Sequence, residues 1–230
     1  MNLSDTSCPA YSPWPSEYPI PFGKEIPKIV QAPSGAQLHI EGIYLDMIVS
    51  LCDPSPDDGV PDISLITRWT EQLCSDQSTY PATKEPMLLA VLRTLALDVE
   101  TLTPGEYIRP PKGLEELASL PFEEAVRRFI KGPPTESDET YEDRARHSNR
   151  QILMRGRRPA VTQYGFICMV PNHAEEEDCI LALAGGMVLY VVRQAGWFPE
   201  RYSFVGEAYM HGAMDDVVRE SMRRPTFILV

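Results

Sequence analysis

Proline placement limits this chain more than any other feature of its sequence. There are 22 prolines in 230 residues, about twice the usual share of roughly 5%. Each one removes a backbone donor and breaks the interior of a helix or a central strand. A single bundle of long helices is therefore ruled out, and short elements joined by many loops are predicted. Pro9, Pro13, Pro15, Pro19, Pro21, Pro27 and Pro33 all fall in residues 1–35, which favours extended or polyproline backbone. That stretch reads as a proline-rich arm, with Trp14, Tyr18, Ile20 and Phe22 available to anchor it on the body. The alternative is a ligand for a partner domain with an aromatic groove.

The rest of the composition is that of a folded chain. Hydrophobic residues make up 43%, enough for an ordinary core and too many for a wholly disordered protein. Lys and Arg number 21 against 33 Asp and Glu, a formal charge of −12. This acid surplus argues against duplex nucleic acid as a partner, since such binding rests largely on phosphate neutralisation. It argues equally against a polybasic membrane-surface module. The start, Met1-Asn2-Leu3-Ser4-Asp5, has neither the basic nor the apolar region of a signal peptide. The longest apolar run, residues 180–192, is interrupted by Gly185 and Gly186 and is too short to span a bilayer. The five cysteines, Cys8, Cys52, Cys74, Cys168 and Cys179, are odd in number and widely spaced. No disulfide framework or zinc knuckle is expected from them. Together these features predict a reduced, cytoplasmic protein.

Periodicity places the elements. Residues 37–45 begin with polar and apolar alternation, the mark of a half-buried strand. Residues 46–51 are expected to add a helical turn. Asp57 and Asp58 lie in a loop that lacks the ligand spacing of a calcium site. Asp62 is a good N-cap for a helix reaching Cys74, with Ile63, Ile66, Trp69 and Leu73 on one stripe. A second helix starts near Glu85 and Pro86, and its wide apolar face makes it a central core helix. A third runs over 122–131 and stops at Gly132-Pro133-Pro134. Residues 135–158 pass from acid to base, through Arg144, Arg146, Arg150, Arg155, Arg157 and Arg158. That is a solvated helix entering a sheet or, alternatively, an anion- or nucleic-acid-binding patch. Strands are expected over 159–162, 165–170, 179–184, 187–193, 202–209 and 226–230, with Gly185-Gly186 as a two-residue primed turn.

Catalytic signatures are sparse. There is no G-x-S-x-G elbow, no Walker loop and no G-x-G-x-x-G. His39, His147, His173 and His211 form no helical zinc pair. No cofactor and no metal is expected. The densest polar cluster is Gly206-Glu207-Ala208-Tyr209-Met210-His211-Gly212-Ala213-Met214-Asp215. Glu207, Tyr209 and His211 alternate, so on one strand they share a face. They are either an acid–base trio or a hydrogen-bonded strand end before a glycine turn, with Asp215 capping a short helix after it.

The same ten residues resemble the G-E-x-Y-V-H-G-I-M-D signature near the C-terminus of fungal heterokaryon-incompatibility (HET) domain proteins. Further pieces occur in the same order. Residues 38–46, Leu38-His39-Ile40-Glu41-Gly42-Ile43-Tyr44-Leu45-Asp46, resemble the family's L-x-V-x-G-x-x-x-D strand. Leu92-Arg93-Thr94-Leu95 with Asp98 resembles W-R-T-L-x-x-D. Residues 157–165 resemble the R-R-F-F-x-T strand and turn. Asp178 through Gly186 resembles D-x-V-C-V-L-x-G-G, leading to a strand that ends in Arg193. Phe166-Ile167-Cys168 and the proline-free Met187-Val188-Leu189-Tyr190 depart from the pattern. The segment expected of the HET domain itself, a Toll/interleukin-receptor-like module implied in cell death, has no counterpart in this sequence. The resemblance therefore implies the C-terminal helical-plus-β portion alone.

These observations predict an α+β fold: residues 1–35 an arm, 36–157 mainly helical, and 158–230 a small antiparallel sheet or partly closed barrel that the strand near residue 40 can join. The function implied is a non-enzymatic interaction or regulatory module in self/non-self signalling, with an unidentified protein as partner. Gly206, Glu207, Tyr209, His211, Gly212 and Asp215 are its motif residues. The alternatives are an enzyme using Glu207, Tyr209 and His211, or a truncated product.

Overall fold

In the computed structural model, residues 28–32, 35–56, 59–74, 78–103, 106–108, 111, 113–132, 141–186, 188–197, 200–213 and 225–230 are described. The proline-rich arm up to residue 27, the Asp57-Asp58 turn and Asp215 lie outside them.

Two strands open the fold: β1, Lys28–Ala32, and β2, Gly35–Leu51. Then come α1, Ile63–Cys74; α2, Met87–Leu95; a hairpin of β3, Glu100–Thr103, and β4, Glu106–Ile108; α3, Leu114–Ala118; α4, Phe122–Lys131; and α5, Tyr141–Met154. Six strands finish it: β5, Arg157–Thr162; β6, Ile167–Pro171; β7, Cys179–Leu183; β8, Leu189–Trp197; β9, Glu200–Met210; and β10, Thr226–Leu229.

The sheet closes on itself. Its order is β2-β5-β6-β9-β8-β7, and β7 pairs back onto β2, with every neighbour antiparallel. The result is a closed six-stranded barrel rather than an open or partly closed sheet. Closure satisfies every stave along both edges and removes the exposed edge that an open sheet leaves. β2 can serve two neighbours because it is long: residues 42–47 pair with β7, and residues 48–51 pair with β5. At its start it also pairs with β1 and β10.

The helical turn expected over 46–51 is not formed; β2 runs straight through. Periodicity misleads there because the register shifts between Tyr44 and Asp46, a bulge that resets the alternation. The fully buried Asp46 holds the bulge. One carboxylate oxygen accepts from Met47 N at 2.8 Å, and the other from Tyr164 N in the β5–β6 turn at 3.1 Å. Gly185-Gly186 also differs from expectation. The last paired residues are Ala182 and Leu189, so the loop is longer than two residues. Gly186 N donates to Leu183 O at 2.9 Å, and Gly185 carries positive φ (74°) while Gly186 does not. The turn closed by that bond has Ala184 and Gly185 at its centre, with positive φ at Gly185 alone, whereas a primed turn takes positive φ at its first central residue.

The helices form as their punctuation dictates. Asp62 Oδ1 caps α1 by accepting from Leu65 N at 2.8 Å. Pro86 and Pro121 stand at the N-caps of α2 and α4, and Gly132 with φ 80° ends α4. The apolar faces of α1, α2 and α4 meet in one core with Trp69, Leu92, Leu95 and Phe129, all essentially inaccessible. α2 packs on β6 of the barrel. Among the described residues no helix is long and apolar enough to cross a membrane.

Candidate functional site

The site grows from the end of β9 and the loop that leads into α2. Residues 78–86 fold back on themselves: Tyr80 N donates to Glu85 O at 2.9 Å, and Lys84, at φ 66°, donates its N–H to Tyr80 O at 2.9 Å. This turn places the Tyr80 ring and the Glu85 carboxylate against the strand end. Tyr80, with no exposed surface, then joins two staves. Its hydroxyl accepts from Ile167 N at 3.1 Å and donates to His211 O at 2.9 Å. Burial pushes the Tyr80 phenol well above its ordinary range.

His211 is 4% exposed and has both ring nitrogens occupied. Nδ1 lies 2.7 Å from the Tyr209 hydroxyl, and Nε2 lies 2.5 Å from Glu85 Oε1. Glu85 is shared further. Its Oε1 accepts from Thr83 Oγ1 at 2.6 Å, and its Oε2 from Arg93 at 2.6 Å. Arg93 reaches on to Glu115 at 2.6 Å and lies 3.9 Å from Asp98. Burial opposes ionisation of Glu85. The hydrogen bonds from His211 and Thr83, with the Arg93 charge, outweigh it and hold the carboxyl below its usual range. A chain of polar groups therefore runs from β9 through the loop to α2 and α3.

The glycines of the motif make this approach possible. Gly212 has φ 77°, and a Cβ there would stand 2.9 Å from Thr83 Cγ2 and 3.2 Å from Ala82 Cβ. A Cβ on Gly206 would stand 2.6 Å from Pro171 Cγ. Of the predicted trio, Tyr209 and His211 are brought together, while Glu207 faces Arg157 instead at 3.8 Å and is half-buried. Tyr80, Glu85 and Arg93 complete the cluster. Sequence reasoning did not assign Tyr80 or Glu85 a part in it. The available signal was an acid immediately before a helix-starting proline, with an arginine on the same helix.

The other motif residues brace the barrel. Asp178, 2% exposed at its side chain, takes a two-pronged bond from Arg193, Nε to Oδ1 at 2.8 Å and Nη2 to Oδ2 at 2.9 Å, which ties β8 to the turn before β7. Arg193 also donates to His173 O. Arg158 donates to Cys52 O and Ala174 O, and the buried Arg150 donates to Phe129 O at 3.3 Å and stacks over the Phe129 ring at 4.9 Å. These arginines of the basic run are thus directed at the protein's own groups. On Gly42, a Cβ would meet Ala182 O at 2.9 Å.

With the order of strands and the bracing residues in place, the chain can be set beside known proteins. Residues 135–230 match the Het-6 beta-barrel domain. The Het-6 barrel match takes in α5 and every strand from β5 to β10; the sixth stave, β2, comes from outside it. The chain is also 35% identical over 78 residues to heterokaryon incompatibility protein 6, OR allele, of Neurospora crassa. That alignment covers 34% of this chain and 12% of the relative. No solved structure matches. The C-terminal region is thus related to heterokaryon-incompatibility proteins, as the order of its motifs implies.

The described cysteines, inside and outside the Het-6 barrel match, have the chemistry of small hydrophobes. Cys52, Cys74, Cys168 and Cys179 are free thiols. Burial raises Cys52 to about 12 and Cys179 to about 11, and pushes Cys168 well above its ordinary value. Among the described residues no group of three or more His, Cys, Asp or Glu side chains is placed to hold a metal ion.

Proposed function

We propose that this protein is a non-enzymatic interaction or regulatory module of self/non-self signalling, cytoplasmic and acting through a protein partner. The observation that carries this reading is how the motif is used. Tyr209 and His211 are buried, and each has its polar atoms bonded to other protein groups. Arg93, Asp178 and Arg193 are likewise committed to internal pairs. Such residues hold a shape, and a shared shape suits recognition by a common partner. The likeness to the Neurospora protein, whose name is that of an incompatibility factor, points the same way.

The test is genetic. The chain is expressed in a Neurospora crassa strain carrying the OR allele of that relative and in one lacking the relative's gene. Growth inhibition in the first strain alone is the expected result. Equal growth in both, together with turnover of a small molecule by the purified protein, would overturn the proposal.

A further inference from the structure

The barrel carries a recess away from the strand-end motif: Gly206, Glu207, Tyr209, His211 and Gly212 do not line it. It measures about 520 Å³, within the range of roughly 300–1,000 Å³ typical of small-molecule sites. Leu38 and Ile40 of β2, Leu183 at the end of β7, and Leu229 of β10 supply aliphatic surface, while Tyr190 of β8 and Phe204 of β9 supply two rings. The rings sit 5.7 Å apart, tilted by 52°.

Three features give the recess a chemical preference. First, it is preformed, because Leu38, Tyr190 and Phe204 stand on strands paired to their neighbours. Second, no charged side chain lines it among the described residues; Gln37 and Tyr190 are the polar side chains. An anion entering it would lose hydration without a counter-charge. Third, Phe204 is 53% exposed although its aliphatic neighbours Ile40, Leu183 and Leu229 are buried. An aromatic face beside a buried aliphatic floor is a wall to which a flat ring can stack.

The close approach of Gly186 fixes the aromatic wall. A Cβ there would stand 2.5 Å from Tyr190 Cε2 and 2.9 Å from its hydroxyl. The glycine therefore lets the Tyr190 ring lie back over the turn, where any larger residue would press it elsewhere.

We infer that this recess binds a neutral, largely apolar small molecule containing at least one planar ring. This binding does not rest on the interaction reading and does not require a protein partner.

Nile red, a neutral planar dye whose emission shifts to the blue in apolar surroundings, tests it on the full chain. Saturable binding of one dye per chain is expected. Phe204→Ala removes an exposed ring and should weaken binding about tenfold, with the thermal midpoint little changed. Leu38→Asp should weaken it at least as much; if that variant fails to fold, Phe204→Ala decides alone. Tyr164→Ala, at an exposed ring outside the recess, should leave binding unchanged. Absence of saturable binding would overturn the inference. So would one dye per two chains, or equal weakening by Phe204→Ala and Tyr164→Ala. Allele-dependent growth in the fungal strains can succeed or fail whatever the dye does, so the two readings fall separately.

Discussion

Nε2 of His211 lies 2.5 Å from Oε1 of Glu85, and this pair joins the barrel to the helical layer. The imidazole comes from the strand-end motif, and the carboxylate from the loop that starts α2. Arg93, from a different motif, holds the other carboxylate oxygen. Two sequence signatures far apart in the chain therefore meet through a residue that belongs to neither.

Breaking this pair should cost more than an ordinary surface change. Glu85→Ala and His211→Ala are each expected to destabilise by about 2–4 kcal/mol, because each strands a buried polar partner. Urea unfolding of both single variants and the double variant measures the coupling. A double variant no worse than either single would show that the two side chains act as one unit.

The pH dependence follows from Glu85. Its carboxyl titrates below the ordinary value of 4.5 in the folded chain, so the folded state binds this proton less readily than the unfolded state. The stability it contributes is present above the unfolded value and is lost as pH falls through the lower, folded one. Glu85→Gln should therefore have a flatter stability curve below about pH 4.5 than the natural chain. Thermal melts from pH 7 to pH 3 report the difference.

The brace between β8 and the turn before β7 depends on the shape of the guanidinium. Arg193→Lys keeps the charge but loses the fork that meets both oxygens of Asp178. A loss of about 1–3 kcal/mol is expected for this variant. Asp178→Asn should cost a similar amount, and chemical denaturation checks both.

β2 and β7 approach closely at Gly42. Gly42→Ala would put a methyl group 2.9 Å from Ala182 O and Leu183 Cδ2, and backbone cannot move aside as a flexible side chain can. Overpacking of this kind typically costs about 1–3 kcal/mol. A lowered midpoint with an unchanged denaturant slope is the expected outcome.

Much of the fold was legible because punctuation was clear. α4 lies over the residues that Pro121 and Gly132 delimit, and α1 begins where Asp62 can cap it. The strands from β5 onward announced themselves by short apolar runs between turns. What escaped was either too short or out of phase. The five-residue α3 and the small β3–β4 hairpin carry too few residues for a period to emerge. The second half of β2 was hidden by the bulge at Asp46, which shifts its inward positions by one. For the candidate site, Tyr209, His211 and Gly212 were legible from the motif. Tyr80 and Glu85 were not, since their importance comes from a backward turn of residues 78–86 that sets them against β9. The recess lay equally hidden, for its walls are drawn from five strands with no shared local pattern.

The position of β2 bears on the order in which the protein folds. This stave is made before any helix, yet its neighbours β5, β7 and β10 all come after the last one. The helices can assemble from contacts near in sequence while β2 waits for its pairs. Ring closure is thus a late, long-range event, which is the kind that slows folding. During synthesis the half-made barrel holds a 17-residue strand whose residues beyond the β1 pairing have open edges, and that interval is when association with other chains competes with closure.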